Sequence, residues 1–230
     1  MVATTPEIIY PSSDGEPLAE TQEHVWAILT VVTTLTQYLG DRAVIFANNF
    51  FYYVEGKPSA RVAPDVMVVF GITPGMRPNY KIWQEGETPG VIFEMTSPST
   101  RENDLYFKKS LYEQLGIPEY WLFDPHGAWI PEQLRGFSLN EEGIYRPVSC
   151  NQSQVLQLRL EPEGQLLSFY RLDNDQKLLT PDELLKLANQ AQVRADQEKA
   201  RADQEKARAD QEKARADQLA AQLRSLGIEV

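Results

Sequence analysis

Cysteine is almost missing from this chain of 230 residues, in which Cys150 is the single example. One cysteine cannot form an internal disulfide, and it cannot build a thiolate metal cluster. No histidine or basic cluster lies near Cys150 in the sequence to activate its thiol. We therefore expect an inert structural thiol at this position.

Long apolar runs are missing as well. No stretch approaches the roughly 18 consecutive apolar residues that a membrane helix requires. The first residues lack the basic region and the apolar stretch of a secretory signal. The sequence therefore predicts a cytoplasmic protein without a membrane partner.

Positive charge is in short supply, because the net charge is -11. Residues 191–230 hold eight basic and eight acidic residues, so residues 1–190 hold fourteen basic and twenty-five acidic ones and carry the whole excess. A basic face is the usual electrostatic footprint of a nucleic-acid-binding protein. The composition thus disfavours such a protein, unless a local basic patch exists beside an acidic active site.

The last fifty residues contain a repeat. The heptapeptide Arg-Ala-Asp-Gln-Glu-Lys-Ala begins at Arg194 and recurs at Arg201 and Arg208. Its residues favour a helix, which divides the chain into a body, residues 1–175, and a long charged helical tail, residues 176–230. The alanines lie two and five apart, whereas a coiled-coil seam needs spacings of three and four. We expect a solvated single helix, with weak self-association into a homodimer as the alternative.

The body reads as alternating helices and strands. Residues 19–39 have a helical apolar face that ends at Gly40, and Ser99 with Glu102 forms a capping box for a second helix to Leu115. The expected strands are Ala43–Ala47, Phe50–Val54, Asp65–Phe70, Val91–Met95, Tyr120–Phe123, Leu134–Leu139, Gln154–Leu160 and Leu166–Tyr170. This order predicts a mixed α/β sheet with helices on its faces.

Two carboxylates lie where the pattern predicts burial. Glu94 interrupts an otherwise apolar strand, and a buried carboxylate is costly unless it is paired or binds a metal. Asp65 opens a neighbouring apolar strand, where an aspartate is otherwise a common turn former. Two such carboxylates on adjacent strands are the oxygen ligands that Mg²⁺ or Mn²⁺ prefers.

The second helix offers a cation near these acids. Asp104, Lys108 and Tyr112 are spaced i, i+4 and i+8, so they form one stripe of the helix. Lys109 is an equal candidate by composition, but only Lys108 shares the stripe with Asp104. His24 is expected to be an ordinary hydrogen-bonded residue at the rim of the core.

These segments resemble the Uma-two (Uma2) family, an endonuclease group in the PD-(D/E)XK superfamily. The resemblance covers roughly residues 10–170 and excludes the repeat. It is carried by the ordered motifs Ala19–His24, Ala63–Val69, Val91–Thr100, Asp104–Tyr112 and Gly116–Pro125.

The resemblance implies a restriction-endonuclease-like αβββαβ core and hydrolysis of phosphodiester bonds in nucleic acid, with DNA as the expected substrate. It implies Mg²⁺ or Mn²⁺ held by Asp65 and Glu94, with Glu20 as a further acidic ligand from the first helix. The superfamily places a lysine two residues after the second acid, where this chain has Thr96. Lys108 matches a lysine that has migrated to the following helix, and the catalytic set is Asp65, Glu94 and Lys108.

Two other classes of function compete with this interpretation. A non-catalytic scaffold could use a degenerate nuclease fold and the charged helix as an assembly arm, which the acidic body and Thr96 favour. A serine hydrolase using Ser97 or Ser99 is disfavoured, because the chain has no Gly-x-Ser-x-Gly motif. Only His24 and His126 could act as its base.

Overall fold

The computed structural model describes residues 8–15, 21–97 and 100–225. The strands are β1 (Ala43–Ala47), β2 (Phe51–Tyr52), β3 (Arg61–Val62), β4 (Val66–Phe70), β5 (Tyr80–Lys81), β6 (Val91–Met95), β7 (Glu119–Phe123), β8 (Leu134–Leu139), β9 (Tyr145–Pro147), β10 (Gln152–Ser153), β11 (Leu158–Glu163) and β12 (Leu166–Arg171). The helices are α1 (Gln22–Leu39), α2 (Ile82–Glu85), α3 (Lys109–Gln114) and α4 (Pro181–Ser225). A π-helical segment, Asn103–Lys108, runs directly into α3.

A six-stranded mixed sheet forms the centre of the body, in the order β1-β4-β6-β7-β8-β9. The strands β1, β4 and β6 pair antiparallel, and β6 pairs parallel with β7 after the crossover through α3. Every residue of β6 and β7 is buried, as expected for apolar strands covered on both faces. Together with α1 these elements form the αβββαβ core, so the predicted mixed α/β fold is confirmed.

Each face of the sheet has its own apolar core. On one face α1 and the β11–β12 hairpin cover residues such as Phe93 and Trp121. On the other face α3 covers Ile92 and Tyr120, with Tyr112 packed between them. Burial of these large side chains supplies the main driving force for folding. Two smaller sheets, β3-β2-β5 and β10-β11-β12, complete the body.

Most predicted elements match the structure, and four differ in extent or type. The predicted strand Phe50–Val54 is reduced to the two residues of β2. The turn at residues 154–157 precedes β11, so the predicted strand over residues 154–160 is wrong in its first half. The predicted second helix is present, but its residues 103–108 are π-helical. The first helix begins at Gln22 after the capping residue Thr21 and ends where Gly40 has a φ of 53°. The capping box at Ser99 lies outside the described residues.

The chain divides into two compact units, Met1–Thr180 and Pro181–Val230. The second unit contains α4, which is 45 residues long and carries Asp182 and Glu183 in its first turn, where acidic side chains favour a helix. Independent folding of residues 1–175 and self-association of the tail stay predictions. No helix within the described part of the chain has the length and apolarity needed to cross a membrane.

Deletion of the repeat should leave the melting temperature of the body almost unchanged. Residues 189–219 are exposed along the whole repeat, so their removal uncovers little apolar surface. We expect a chain ending at Ala191 to melt within about two degrees of the full chain, with a lower helical signal in circular dichroism. A much larger loss would show that the repeat is needed for a stable assembly.

Candidate active site

The register of two central strands brings Asp65 and Glu94 together. Val66 lies opposite Phe93 in the antiparallel β4–β6 pair, so the next pair toward the strand end is Asp65 and Glu94. Side chains alternate along a strand, which puts both carboxylates on the face that carries Ile92. The Asp65 amide donates to Glu94 Oε2 at 3.3 Å, and Asp65 Oδ2 accepts from the Met95 amide at 2.6 Å.

Glu94 is completely buried, and both of its oxygens are occupied. Oε2 accepts a hydrogen bond from Lys108 Nζ at 2.8 Å, and Oε1 accepts one from the Tyr112 hydroxyl at 2.8 Å. Burial raises the pKa of Glu94 to about 8, because it outweighs the opposing effect of the Lys108 ammonium. Glu94 therefore holds a proton far more tightly than an exposed glutamate does.

The helix that covers these strands buries charged side chains and exposes aromatic ones. Asp104, Lys108 and Tyr112 are buried against the sheet, whereas Tyr106 and Phe107 are exposed. The buried residues follow the spacing of four that the sequence indicated. A π-helical turn of this kind is rare and is often found at functional sites. Burial of these charged side chains is energetically acceptable only if their charges are paired.

Lys108 provides that pairing. Its ammonium lies 2.8 Å from Glu94 Oε2 and 2.9 Å from Asp104 Oδ1. Burial alone would lower the pKa of Lys108, but Glu94, Asp104 and Asp65 together raise it, so the ammonium keeps its charge. Burial also raises the pKa of Asp104, against the effect of Lys108. Two buried carboxylates thus contact one ammonium, and the charge of Asp65 adds to their effect.

Lys109, which composition could not separate from Lys108, faces elsewhere. Its Nζ lies 4.8 Å from the centroid of the Phe137 ring and 5.8 Å from that of Tyr145. These cation–π contacts place Lys109 over aromatic side chains of β8 and β9. The structure therefore brings together Asp65, Glu94 and Lys108, and it excludes Lys109 from the cluster.

Further residues complete the surroundings of the carboxylates. His24, in the first turn of α1, is buried, with Nε2 3.6 Å from Asp65 Oδ2. Sequence reasoning gave no role to His24, because nothing local connects residue 24 with residue 65. It also gave no role to Asp104 or Tyr112, although their spacing was visible. Glu20, the third predicted acid, lies outside the described residues.

The donor set fits a cation that is bound by few protein ligands. Among the described residues, no group of three or more His, Cys, Asp or Glu side chains is arranged to hold a metal ion. Mg²⁺, however, is commonly held by one or two carboxylates, with water and substrate phosphate as the other ligands. Asp65 and Glu94 fit this mode of binding if Lys108 releases its hydrogen bond to Glu94 Oε2, so that this oxygen can bind the cation.

Thr96 supports this fit. By strand alternation it lies on the same side of the sheet as Glu94, and its buried Oγ1 has no hydrogen-bond partner in the described part of the chain. A buried hydroxyl without a partner is costly, and a water molecule on a cation would satisfy it. The position where the superfamily has lysine therefore carries a small polar group, while Lys108 reaches Glu94 from the helix.

An arginine and a tryptophan lie near this edge of the sheet. The Arg101 guanidinium stacks over the Trp129 ring, 4.3 Å from its centroid. Arg101 precedes Asp104 by three residues, about one helical turn. Trp129 is held by Asp124, whose Oδ2 accepts from the amides of Trp129 at 2.5 Å and Ile130 at 3.0 Å. Asp124 directly follows β7, the neighbour of β6.

Comparison with known proteins agrees with the motifs. The family model "Uma2: Putative restriction endonuclease" matches residues 3–169. The chain is also similar to a solved structure described as a putative nuclease belonging to DUF820 from Anabaena variabilis, at 14% identity and a TM-score of 0.44, covering 62% of this chain and 77% of that one. No curated protein matches. Because the family model spans well over half of the sequence, the chain belongs to the Uma2 family of putative restriction endonucleases.

Proposed function

We propose that this protein is a divalent-metal-dependent endonuclease that hydrolyses phosphodiester bonds of nucleic acid, with DNA as the substrate. Mg²⁺ or Mn²⁺ would be held by Asp65 and Glu94, and Lys108 would act on the phosphate. The observation that carries the proposal is the buried cluster in which these three residues meet at the end of two central strands. Membership of a family described as putative restriction endonucleases supports this class of reaction.

The side chains of the cluster suit different tasks. A bound cation would supply Lewis acidity toward the phosphate and a water of lowered pKa. Asp65, with its side chain 15% exposed, is the carboxylate that solvent can reach, whereas Glu94 lies beneath it. Lys108 remains charged among the carboxylates, and a fixed ammonium stabilises negative charge that develops on a phosphate.

Glu20 is proposed as a third acidic group, since it directly precedes Thr21, the capping residue of α1. His24, one turn further along, already lies beside Asp65. Titration of Mn²⁺ into the full chain and into Glu20→Gln would show whether Glu20 contributes to affinity.

Arg101 and Trp129 are proposed to contact the substrate. A guanidinium stacked on an indole ring can still bind a phosphate through its in-plane N–H groups, and an exposed indole can stack on a base. Arg101 Nη2 lies 4.0 Å from Glu102 Oε1, an exposed ion pair that a phosphate could replace. Both side chains are partly exposed, Arg101 at 37% and Trp129 at 38%. This pair supplies a local positive charge on a body whose composition is acidic.

Replacement of Arg101 by alanine should weaken nucleic-acid binding more than turnover. We expect KM to rise roughly three- to ten-fold and the salt slope of binding to fall by about one, because one phosphate contact is lost. Fluorescence anisotropy with a labelled oligonucleotide over a range of KCl concentrations measures the salt slope, and steady-state cleavage at varied substrate concentration measures KM. Arg135→Ala is the matched control, since Arg135 is similarly exposed and pairs with Glu132. An unchanged salt slope in Arg101→Ala would contradict the contact.

The scaffold remains the second candidate, and one observation favours it. Glu94 is fully satisfied by Lys108 and Tyr112 without any cation. A purely structural Glu94–Lys108 ion pair, with no role in metal binding, would have the same contacts.

Cleavage of plasmid and of short duplex DNA or RNA, with Mn²⁺ or with EDTA, separates the two candidates. The nuclease requires Mn²⁺-dependent nicking and a rise in melting temperature with Mn²⁺. The scaffold predicts neither.

A further inference from the structure

The Lys108 ammonium is held by two carboxylates that differ in their position. Glu94 belongs to β6, and its Oε2 lies 2.8 Å from Nζ. Asp104 belongs to the π-helical segment that carries Lys108 itself, and its Oδ1 lies 2.9 Å from Nζ. Both carboxylates are buried, and Lys108 is the one buried lysine in the described part of the chain.

A cation beside Asp65 would compete with Lys108 for the same oxygen. Tyr112 holds Glu94 Oε1, whereas Oε2 is the oxygen that also accepts from the Asp65 amide. Oε2 is therefore the oxygen of Glu94 nearest to Asp65. An ammonium and a divalent cation that share one buried oxygen repel each other, so the ammonium must give way.

An ammonium displaced from Glu94 still needs an acceptor. A buried charge without a partner is strongly unfavourable. Asp104 Oδ1 already lies 2.9 Å from Nζ as an ion-pair partner, and Asp104 belongs to the helix rather than to the strand that carries Glu94. Asp104 can thus retain Lys108 in the cleft when Glu94 does not.

We propose that Asp104 is a positioning residue, which holds the Lys108 ammonium in the cleft when Glu94 Oε2 turns to a divalent cation. The inference rests on the proposed function, because it requires a cation at Asp65 and Glu94. In the metal-free protein Lys108 bridges both acids. With the cation bound it remains on Asp104, where it is available to the substrate phosphate.

The ammonium of Lys108 can be observed directly in the full chain by ¹⁵N NMR of lysine side chains. A buried, ion-paired ammonium exchanges its protons slowly and gives a distinct signal, which Lys108→Met would assign by its loss. In the wild type we expect Mg²⁺ to shift this signal without removing it. In Asp104→Asn the signal should be present without Mg²⁺, when Glu94 holds the ammonium, and should broaden or disappear with Mg²⁺.

The control for charge and helix position is Glu102→Gln. Glu102 lies on the same helix two residues before Asp104, and its side chain is 82% exposed. This variant should behave as the wild type does with and without Mg²⁺. Asp104→Ala, which removes the acceptor completely, is the second variant and should lose the signal with Mg²⁺ as Asp104→Asn does.

Kinetics give an independent measurement. Asp104→Asn should lower kcat by between about ten- and a hundred-fold, because a misplaced ammonium no longer meets the phosphate. KM should change less than two-fold. Asp104→Glu, which keeps the charge, should recover part of kcat.

The outcomes separate this inference from the proposed function. If Mg²⁺ leaves the wild-type Lys108 signal unchanged and the wild type does not cleave, both fail. If the wild-type signal shifts but both Asp104 variants keep theirs with Mg²⁺, the positioning role fails while the proposed function stands. A wild-type signal that disappears with Mg²⁺ also overturns the positioning role, since Asp104 then does not retain the ammonium.

Discussion

Replacement of Glu94 by glutamine should lower Mn²⁺- or Mg²⁺-dependent cleavage by about a thousand-fold or more and leave the protein folded. Glutamine keeps the shape of the side chain but removes the negative charge that would bind the cation. Metal-ion catalysis contributes several kcal/mol, and each 1.36 kcal/mol corresponds to about ten-fold in rate. The readouts are single-turnover cleavage at saturating Mn²⁺ and the shift in melting temperature that Mn²⁺ produces, which should nearly vanish in the variant.

The same variant also has a pH signature in the metal-free protein. Glu94 has a pKa of about 8 in the folded chain, above its ordinary value of 4.5. The stability that this group contributes is therefore fully present below about pH 4.5 and is lost as the pH rises through about 8. Glu94→Gln should match the wild type near pH 4.5 and exceed it by on the order of 1 kcal/mol above pH 8.

Urea unfolding in EDTA across this pH range measures the difference, with Glu102→Gln as the exposed control. A Glu94→Gln protein that is less stable than the wild type above pH 8, and that responds to Mn²⁺ as the wild type does, would argue for the scaffold. In that case the negative charge of Glu94 would stabilise the fold by pairing with Lys108, and it would have no role in binding a cation.

The fold could be predicted wherever local patterns reflect burial. The strands Ala43–Ala47, Val91–Met95 and Leu134–Leu139 have the bounds expected from their apolar runs and turn residues. The apolar face of α1 and the role of Gly40 at its end were also readable from spacing. In these segments the local pattern and the final packing agree, as in most foldable sequences.

The site was only partly predictable. An acid inside an apolar strand indicated Glu94, and spacing along the helix indicated Lys108. Neither pattern contains the register that places Asp65 opposite Glu94, which depends on pairing between residues 23 or more positions apart. The contact between His24 and Asp65 depends on how α1 packs on the sheet. Such long-range contacts leave no local signal.

The π-helical segment was not predictable for a different reason. Residues 103–108 contain no glycine or proline that would mark a departure from an α-helix, and Tyr106 and Phe107 would normally be placed on the buried face. Pairing of Asp104 and Lys108 with the strand carboxylate reverses this expectation. A tertiary charge cluster, rather than local propensity, decides which face is buried.

Replacement of Lys108 by methionine should be among the most destabilising single changes in the body. Methionine has a similar volume, so the change leaves no large cavity, but it removes the one ammonium that Glu94 and Asp104 contact. Removal of one partner of a buried ion pair costs about 3–5 kcal/mol, because the other charge stays buried without compensation. We expect a loss of this size in urea unfolding at pH 9, above the wild-type pKa of Glu94 of about 8, where the Glu94 carboxylate gains most from the Lys108 ammonium.

Lys109→Met provides the matched control for this measurement. The two lysines are neighbours in one helix, but the Lys109 ammonium lies over the rings of Phe137 and Tyr145 instead of beside carboxylates. Loss of such a partly exposed cation–π contact should cost about 1 kcal/mol or less. The deficit of Lys108→Met should shrink as the pH falls from 9 to 5, because a protonated Glu94 in the wild type gains less from the Lys108 ammonium, whereas the deficit of Lys109→Met should stay constant. Equal deficits in the two variants at pH 9, or a Lys108→Met deficit that does not depend on pH, would mean that the buried carboxylates do not depend on Lys108.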